Sequence, residues 1–394
     1  MKEKCAMNIT QVAAVMLVAL LAASVPAFSL VAWAGPEDER LDRLEGELGI
    51  LKKENAELKH RVETMETDDE QMRHDLGTVS KLVDVSGYAA AEFYHTDQDS
   101  ENDRFRVRYL SLFFTKEVQR DWKLFTEIEY EDGPKVESNA ATNTVKSSQG
   151  TIFVEQLYIE YHPSLDWDVR FGRVNTPAGI WSIYHYPPYV PFQTDPLFYK
   201  NVFPEVSDGI QLRNSFSSRE SVVDTHLYVA NGAGNPGSGD RNENKGVGAR
   251  VNAELSGGVS AGASYYRERD NQDTTRRSFG LHLNASYNPW RFQTEYATRH
   301  NGPEGGVRSF NDSGWYAQLG YDIAKWTIAA RYDWYDSNDT DAANDRFRTT
   351  GAINYHFASN VVGKLEYSRN EFDEPASKDY NEFIASIVVA IGDL

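Results

Sequence analysis

The chain has 394 residues, with 40 Lys and Arg against 59 Asp and Glu, for a formal charge of −19. A mean hydropathy of −0.57 excludes a bundle of membrane-spanning helices. The acidity disfavours nucleic acid as a partner, since phosphate recognition needs clustered Lys and Arg.

The first element is apolar. Lys2 and Lys4 precede a hydrophobic run from about Val12 to Ala23, and Ala32-Trp33-Ala34 forms an A-x-A site before Gly35. Residues 1–34 read as a secretory signal peptide; the alternatives are a cut after Ala27 and an uncleaved anchor helix. The single cysteine, Cys5, lies inside this segment, so the mature chain is expected to lack disulfides, thiolate metal sites and a Cys nucleophile.

Next, over residues 38–78, Leu41, Leu44, Leu48, Leu51, Asn55, Leu58, Val62 and Met65 are spaced alternately three and four apart, as the a and d positions of a coiled coil. The g-to-e pairs Arg40–Glu45, Glu47–Lys52, Glu54–Lys59 and Arg61–Glu66 all have opposite signs. Such a pattern predicts parallel self-association in the periplasm, through two helices or three, with Asn55 setting register. The alternative is a lone amphipathic helix folded on the rest of the molecule.

From Val83 the helical period disappears. Sixteen alternating segments follow, near 83–95, 105–117, 121–131, 150–162, 166–173, 206–217, 222–231, 246–256, 258–268, 277–288, 290–299, 313–323, 325–336, 345–357, 359–371 and 379–392. In "WRFQTEYATR" (290–299), the odd letters are mostly aromatic and the even ones mostly polar. A soluble sandwich core or lipid would satisfy the apolar face. The connections decide between them. Short turns such as Asn288-Pro289 and Ala324-Lys325 alternate with long polar loops, which places every long loop at one end. The expected fold is therefore all-β: a 16-stranded antiparallel transmembrane β-barrel over 83–394, preceded by an α-helical coiled coil. Closure removes the unpaired edges that lipid penalises, and a barrel of this size leaves a lumen too wide for side chains to fill.

Parity then assigns faces. Arg106 and Arg108 share the inward face of the second strand, and Arg170, Arg213, Arg250, Arg291, Arg331, Arg346 and Arg348 are expected inside as well, opposed by Glu127, Glu129, Glu254, Glu295, Asp333 and Glu366. Arg173 is added to these as a pore-lining candidate. Arg106 and Arg108 form either part of an anion ladder or cross-strand pairs with Glu127 and Glu129. The longest connection, 174–206, is rich in Pro, Trp and Tyr, unlike the Asn/Asp/Ser loops elsewhere. It is expected to fold into the lumen and narrow it, carrying Tyr184, His185, Tyr186, Asp195 and Lys200 to the constriction; an outer cap or a contact with neighbouring subunits is the alternative.

The coiled coil, the "FRVRYLSLFF" second strand (105–114) and "VRFGRVNTPAG" (169–179) together resemble the phosphate-selective porin O and P family and related porins with coiled-coil N-termini. The resemblance covers most of the chain from about residue 38. It implies an outer-membrane homotrimer among lipid and lipopolysaccharide, with pores that pass anions or small metabolites. One departure is the end of the chain, Leu394, where such barrels commonly carry an aromatic residue.

The expected function is passive diffusion of small hydrophilic solutes, anion- or phosphate-preferring if the resemblance extends that far. One alternative is an envelope tether, with the coiled coil gripping the cell wall and conduction general or cation-leaning. A barrel hydrolase is less well supported: the nine histidines are scattered and no G-x-S-x-G occurs. No H-E-x-x-H spacing appears, and "DSNDTDAAND" (336–345) lacks the glycine of an EF-hand, so neither a metal nor a cofactor is expected.

Overall fold

The alternation persists in three dimensions. The computed structural model describes residues 52–53, 57–59, 83–98, 101–133, 135–139, 144–148, 150–218, 221–232, 242–305, 308–374 and 377–392. Its strands are β1 (Asp84–Thr96), β2 (Arg104–Gln119), β3 (Trp122–Glu131), β4 (Lys135–Asn139), β5 (Thr144–Ser148), β6 (Thr151–Ser164), β7 (Trp167–Asn175), β8 (Val206–Ser217) and β9 (Ser221–Ala230). They continue with β10 (Gly246–Leu255), β11 (Val259–Arg269), β12 (Thr275–Tyr287), β13 (Trp290–Gly302), β14 (Phe310–Ile323), β15 (Trp326–Asp336), β16 (Asp345–Ala358), β17 (Val361–Phe372) and β18 (Tyr380–Ile391).

All but β4 and β5 form one closed barrel of sixteen strands, each antiparallel to its neighbours, with β1 pairing both β2 and β18. Closure runs from Gly87 opposite Ile391 to Thr96 opposite Glu382, so the barrel itself has no edge left to pair with another chain. Every one of the sixteen expected segments has its strand, displaced by no more than a few residues at its ends. The β4–β5 hairpin lies in a connection expected to be irregular. Its two strands pair only with each other.

Along β15, Trp326, Ile328, Ala330 and Tyr332 are exposed, while Thr327, Ala329, Arg331 and Asp333 are buried. Apolar residues thus face outward and polar ones inward, the inverse of a soluble sheet and the arrangement a lipid-facing barrel needs. Outward rings gather at the short-turn end, where Trp290 packs on Tyr321 and Trp326 on Tyr355, each with centroids 4.6 Å apart. A second set, including Phe105 and Phe279, lies toward the long-loop end. Two such bands match the two interfaces of a bilayer.

Residues 1–76 form a separate unit. Within it Lys52, Lys53 and Glu57–Lys59 are helical and exposed, and Leu58 is the one heptad position described. The signal peptide, the other heptad positions and Leu394 lie outside the described residues.

Candidate functional site: an inward loop and an arginine-lined cavity

Between β7 and β8 the chain runs from Thr176 to Glu205 with six prolines, at 177, 187, 188, 191, 196 and 204. Proline lacks the N–H that a ladder needs, which keeps this stretch out of the sheet apart from a short helix, Trp181–Tyr184. Its backbone groups must therefore find side-chain partners. They find them on the wall. Glu295 of β13 accepts hydrogen bonds from the backbone N–H of Ile180 (2.9 Å) and Trp181 (2.7 Å). Glu366 of β17 accepts from the N–H of Gln193 and Thr194, and Asp333 of β15 from that of Leu197. Cations and amides serve the carbonyls. Arg250 Nε donates to Gly179 O (2.9 Å), Lys364 Nζ to Pro187 O and Val190 O (both 2.6 Å), and Asn354 Nδ2 to Pro191 O (3.0 Å). Arg348 donates to Asp195 O. Each wall partner lies on the buried face of its strand, so the segment runs inside the barrel.

Gly179 makes one of these contacts possible. It has φ +63°, and a Cβ there would sit 1.7 Å from Glu295 Oε2. Only glycine tolerates both the left-handed backbone and this approach. On the opposite flank Tyr186 packs on Tyr88 and Phe113, with ring centroids 5.8 and 5.5 Å apart, and accepts a hydrogen bond from Gln156 Nε2. His185 lies between Tyr186 and Tyr199. Burial holds its pKa below the usual imidazole range, against the pull of Asp195. Lys200 pairs with Glu205, and Asp195 accepts a hydrogen bond from Trp181 Nε1 (2.9 Å). Tyr184 projects from the helix, 60% exposed.

Beside Gln193–Leu197 lies a cavity of about 430 Å³. Five guanidinium groups line it: Arg104, Arg106 and Arg108 from β2, and Arg346 and Arg348 from β16. Arg106 pairs with Glu92 (2.6 Å) and Asp132 (2.6 Å), Arg108 with Asp132 (2.8 Å), and Arg104 with Glu101 (2.6 Å). Arg346 stacks over Phe372 and forms no ion pair among the described residues. Glu382 and Asp195 complete the acidic part of the lining.

Several expectations are corrected here. Arg106 and Arg108 do not pair with Glu127 and Glu129. The register of β2 on β3 sets Glu127 opposite Phe113 and Glu129 opposite Ser111, so both carboxylates lie deeper along the wall. There they are buried and accept hydrogen bonds from Ser111, Gln156 and Tyr88. Arg108 is the extra residue of a bulge between β1 and β2, which turns it and Tyr109 to the same side. Arg173 is not on the lumenal face. It is an odd number of residues from Arg170, and it points outward, bound through Nε (2.7 Å) and Nη2 (3.0 Å) to Asp208 directly opposite on β8. Arg331 has the expected parity but is 2% exposed, pinned between Asp333, Thr194 and the rings of Trp181 and Phe192. It anchors the loop and does not meet water.

The remaining candidates face inward. Arg170 pairs with Glu160 and lies over Tyr158, and Arg213 lies 3.5 Å from Asp168. Arg291 pairs with Asp322 (2.8 Å) near the short-turn end. Sequence reasoning missed Arg104, Glu92, Asp132 and Lys364. Extending the Arg106/Arg108 parity by one step would have found Arg104.

The model of the Gram-negative porin family matches residues 77–375. An uncharacterized protein of Aquifex aeolicus is 24% identical over 156 residues, which is 39% of this chain; the chain spans only 33% of that relative's length. Among solved structures, the trimer form of in-vitro-folded OmpT, an outer membrane protein of Vibrio cholerae, superposes with a TM-score of 0.56 at 15% identity, over 78% of this chain and 98% of that one. An anion-selective porin from Comamonas acidovorans gives 0.57 at 11% identity, over 78% and 99%. Salmonella typhi OmpF, in complex with daunomycin, gives 0.56 at 14%, over 78% and 97%. At these identities the structures support the fold alone.

Proposed function

Because this chain belongs to the Gram-negative porin family, we propose that it is an anion-leaning member whose solutes pass the arginine-lined cavity beside the inward loop. Family membership makes it an outer-membrane channel for passive diffusion rather than an enzyme. The finer reading rests on one observation: five guanidinium groups converge on one cavity where the loop meets the wall. Charge at a narrow aqueous passage acts through a focused field, so this local cluster, and not the net chain charge of −19, sets the preference. Glu92, Glu101, Asp132, Asp195 and Glu382 offset much of the cluster, so the preference is modest and falls with salt. Phosphate selectivity, which the porin O and P resemblance implies, would be a further refinement of this leaning.

The test is the reversal potential of the purified protein in planar bilayers under a KCl gradient. A potential of the sign for chloride preference is expected, and it should move toward zero in Arg106→Gln/Arg346→Gln. A cation-selective wild type would overturn the reading.

Assembly is proposed to be a homotrimer, in keeping with the trimer form of Vibrio cholerae OmpT, with the heptad segment as a periplasmic clasp that can also reach the cell wall. Removing residues 38–78 should leave single-channel conductance intact and lower the temperature at which trimers dissociate on gels. Loss of current from a still-folded barrel would contradict this division of labour.

A further inference from the structure

On the outward face of the barrel two arginines stand directly opposite one another. Arg267 of β11 is the register partner of Arg277 on β12. Both are exposed, next to the buried Tyr266 and Glu268 on one strand and Ser278 on the other. They therefore share the face of Tyr265 and Phe279, the next outward register pair. Those two rings belong to the aromatic band at the long-loop end. The arginines lie two residues beyond it, up to about 7 Å farther from the bilayer centre.

Like charges set directly opposite destabilise a sheet, and a guanidinium keeps its charge at any physiological pH. No carboxylate in the row relieves this pair. It continues to Val247 of β10 on one side, and to His300 of β13 and Asn311 of β14 on the other. Asp339, beyond Asn311, accepts from that residue's backbone N–H (2.8 Å) and Nδ2 (2.7 Å). The acids of the adjoining loop ends are held by other arginines: Glu268 and Asp270 by Arg276, Asp273 and Glu304 by Arg269. Neither Arg267 nor Arg277 has an ion pair or hydrogen bond among the described residues. Other outward arginines near the same rim are neutralised, Arg173 by Asp208 and Arg369 by Glu371 and Asp379.

We propose that Arg267 and Arg277 form a docking site for a phosphorylated glycolipid of the outer leaflet, one phosphate bridging the two guanidinium groups. Phosphate takes strong bidentate contacts from arginine. A lipid headgroup brings that charge to the right depth, just beyond an aromatic band. Its acyl chains then cover Phe279, Leu281 and Leu283, which are exposed on β12 below the pair. The site rests on the barrel's place in the outer membrane and is independent of the ion preference of the pore.

The experiment titrates the detergent-solubilised full chain with bisphosphorylated lipid A and follows the midpoint of thermal unfolding by heat-modifiable gel mobility. Lipid A should raise the midpoint. Its dephosphorylated counterpart should not, nor should inorganic phosphate at equal phosphate concentration. Arg267→Gln/Arg277→Gln should raise the half-saturating lipid A concentration by about tenfold, and Arg369→Gln should leave it unchanged. Arg267→Glu supplies the missing partner, so it should raise the lipid-free midpoint and abolish the response. Conductance should stay at the wild-type value in each, which also shows that the variants fold. Equal stabilisation by the dephosphorylated lipid, or an unchanged half-saturating concentration in the double variant, would overturn the site. Stabilisation by inorganic phosphate alone would make it a free-anion site and overturn the lipid assignment. Trimers of the lipid-free double variant that dissociate at a lower temperature would assign the pair to a subunit contact and overturn it as well.

Discussion

The two flanks of the inward loop are held by different physics. Toward β10–β17 its backbone hangs on directional hydrogen bonds, donated by Arg250, Asn354 and Lys364 and accepted by Glu295, Asp333 and Glu366. Toward β1–β3 it rests on rings, with Tyr186 against Tyr88 and Phe113. Charge-assisted hydrogen bonds fix position to within tenths of an ångström and fail abruptly when one partner is lost. Ring packing tolerates small displacements and fails gradually. One flank therefore sets where the loop sits, and the other fills the space it leaves.

Breaking the directional flank should have the largest effect. Gly179→Ala forces a Cβ into Glu295 and a strained backbone. Loss of the two amide bonds should cost the loop seat about 2–4 kcal/mol, read as faster hydrogen exchange at Ile180 and Trp181 and as raised, noisier conductance. Arg331→Met leaves Asp333 with Arg348 as its one cationic partner among the described residues. A cost of about 3 kcal/mol in urea unfolding is expected. Tyr186→Leu, on the packed flank, should cost about 1–2 kcal/mol, with conductance shifted but not noisier.

Acidity sharpens the contrast. The folded pKa of His185 is depressed, so the stability tied to its neutral form is complete above the ordinary value of about 6.5 and is lost as pH falls below it. Tyr186 and Tyr199 face it, and Asp195, Lys200 and Glu205 act on it at longer range. Protection factors across residues 183–199, which remove the intrinsic pH dependence of amide exchange, should fall between pH 7.5 and 5.5, and His185→Gln should flatten that response. Arg173→Ala should have the smallest effect on the pore: conductance unchanged, because its pair with Asp208 is on the outward face.

The strands were legible because lipid and water select opposite faces, and the period records it. Arg250, Arg213 and Glu295 fall inside for that reason alone. What parity cannot report is coverage. Arg331 and Arg106 read alike in sequence, yet Trp181 and Phe192 bury the first, while the second reaches a cavity. Counting also loses phase beyond an inserted residue, as past Arg108, and Arg173 has the opposite parity to Arg170.

The pairing of β1 with β18 joins the first and last staves of the barrel. Contacts so distant along the polypeptide cannot form early, since the chain-entropy cost of such a loop precedes any reward. Until Tyr380–Ile391 arrives, two raw borders stay open and the lumen is a trough. The seam should thus be the last part to zip up during insertion, and a cysteine pair engineered across it, at Ala89 and Val389, should be the last to oxidise in a pulse of nascent material.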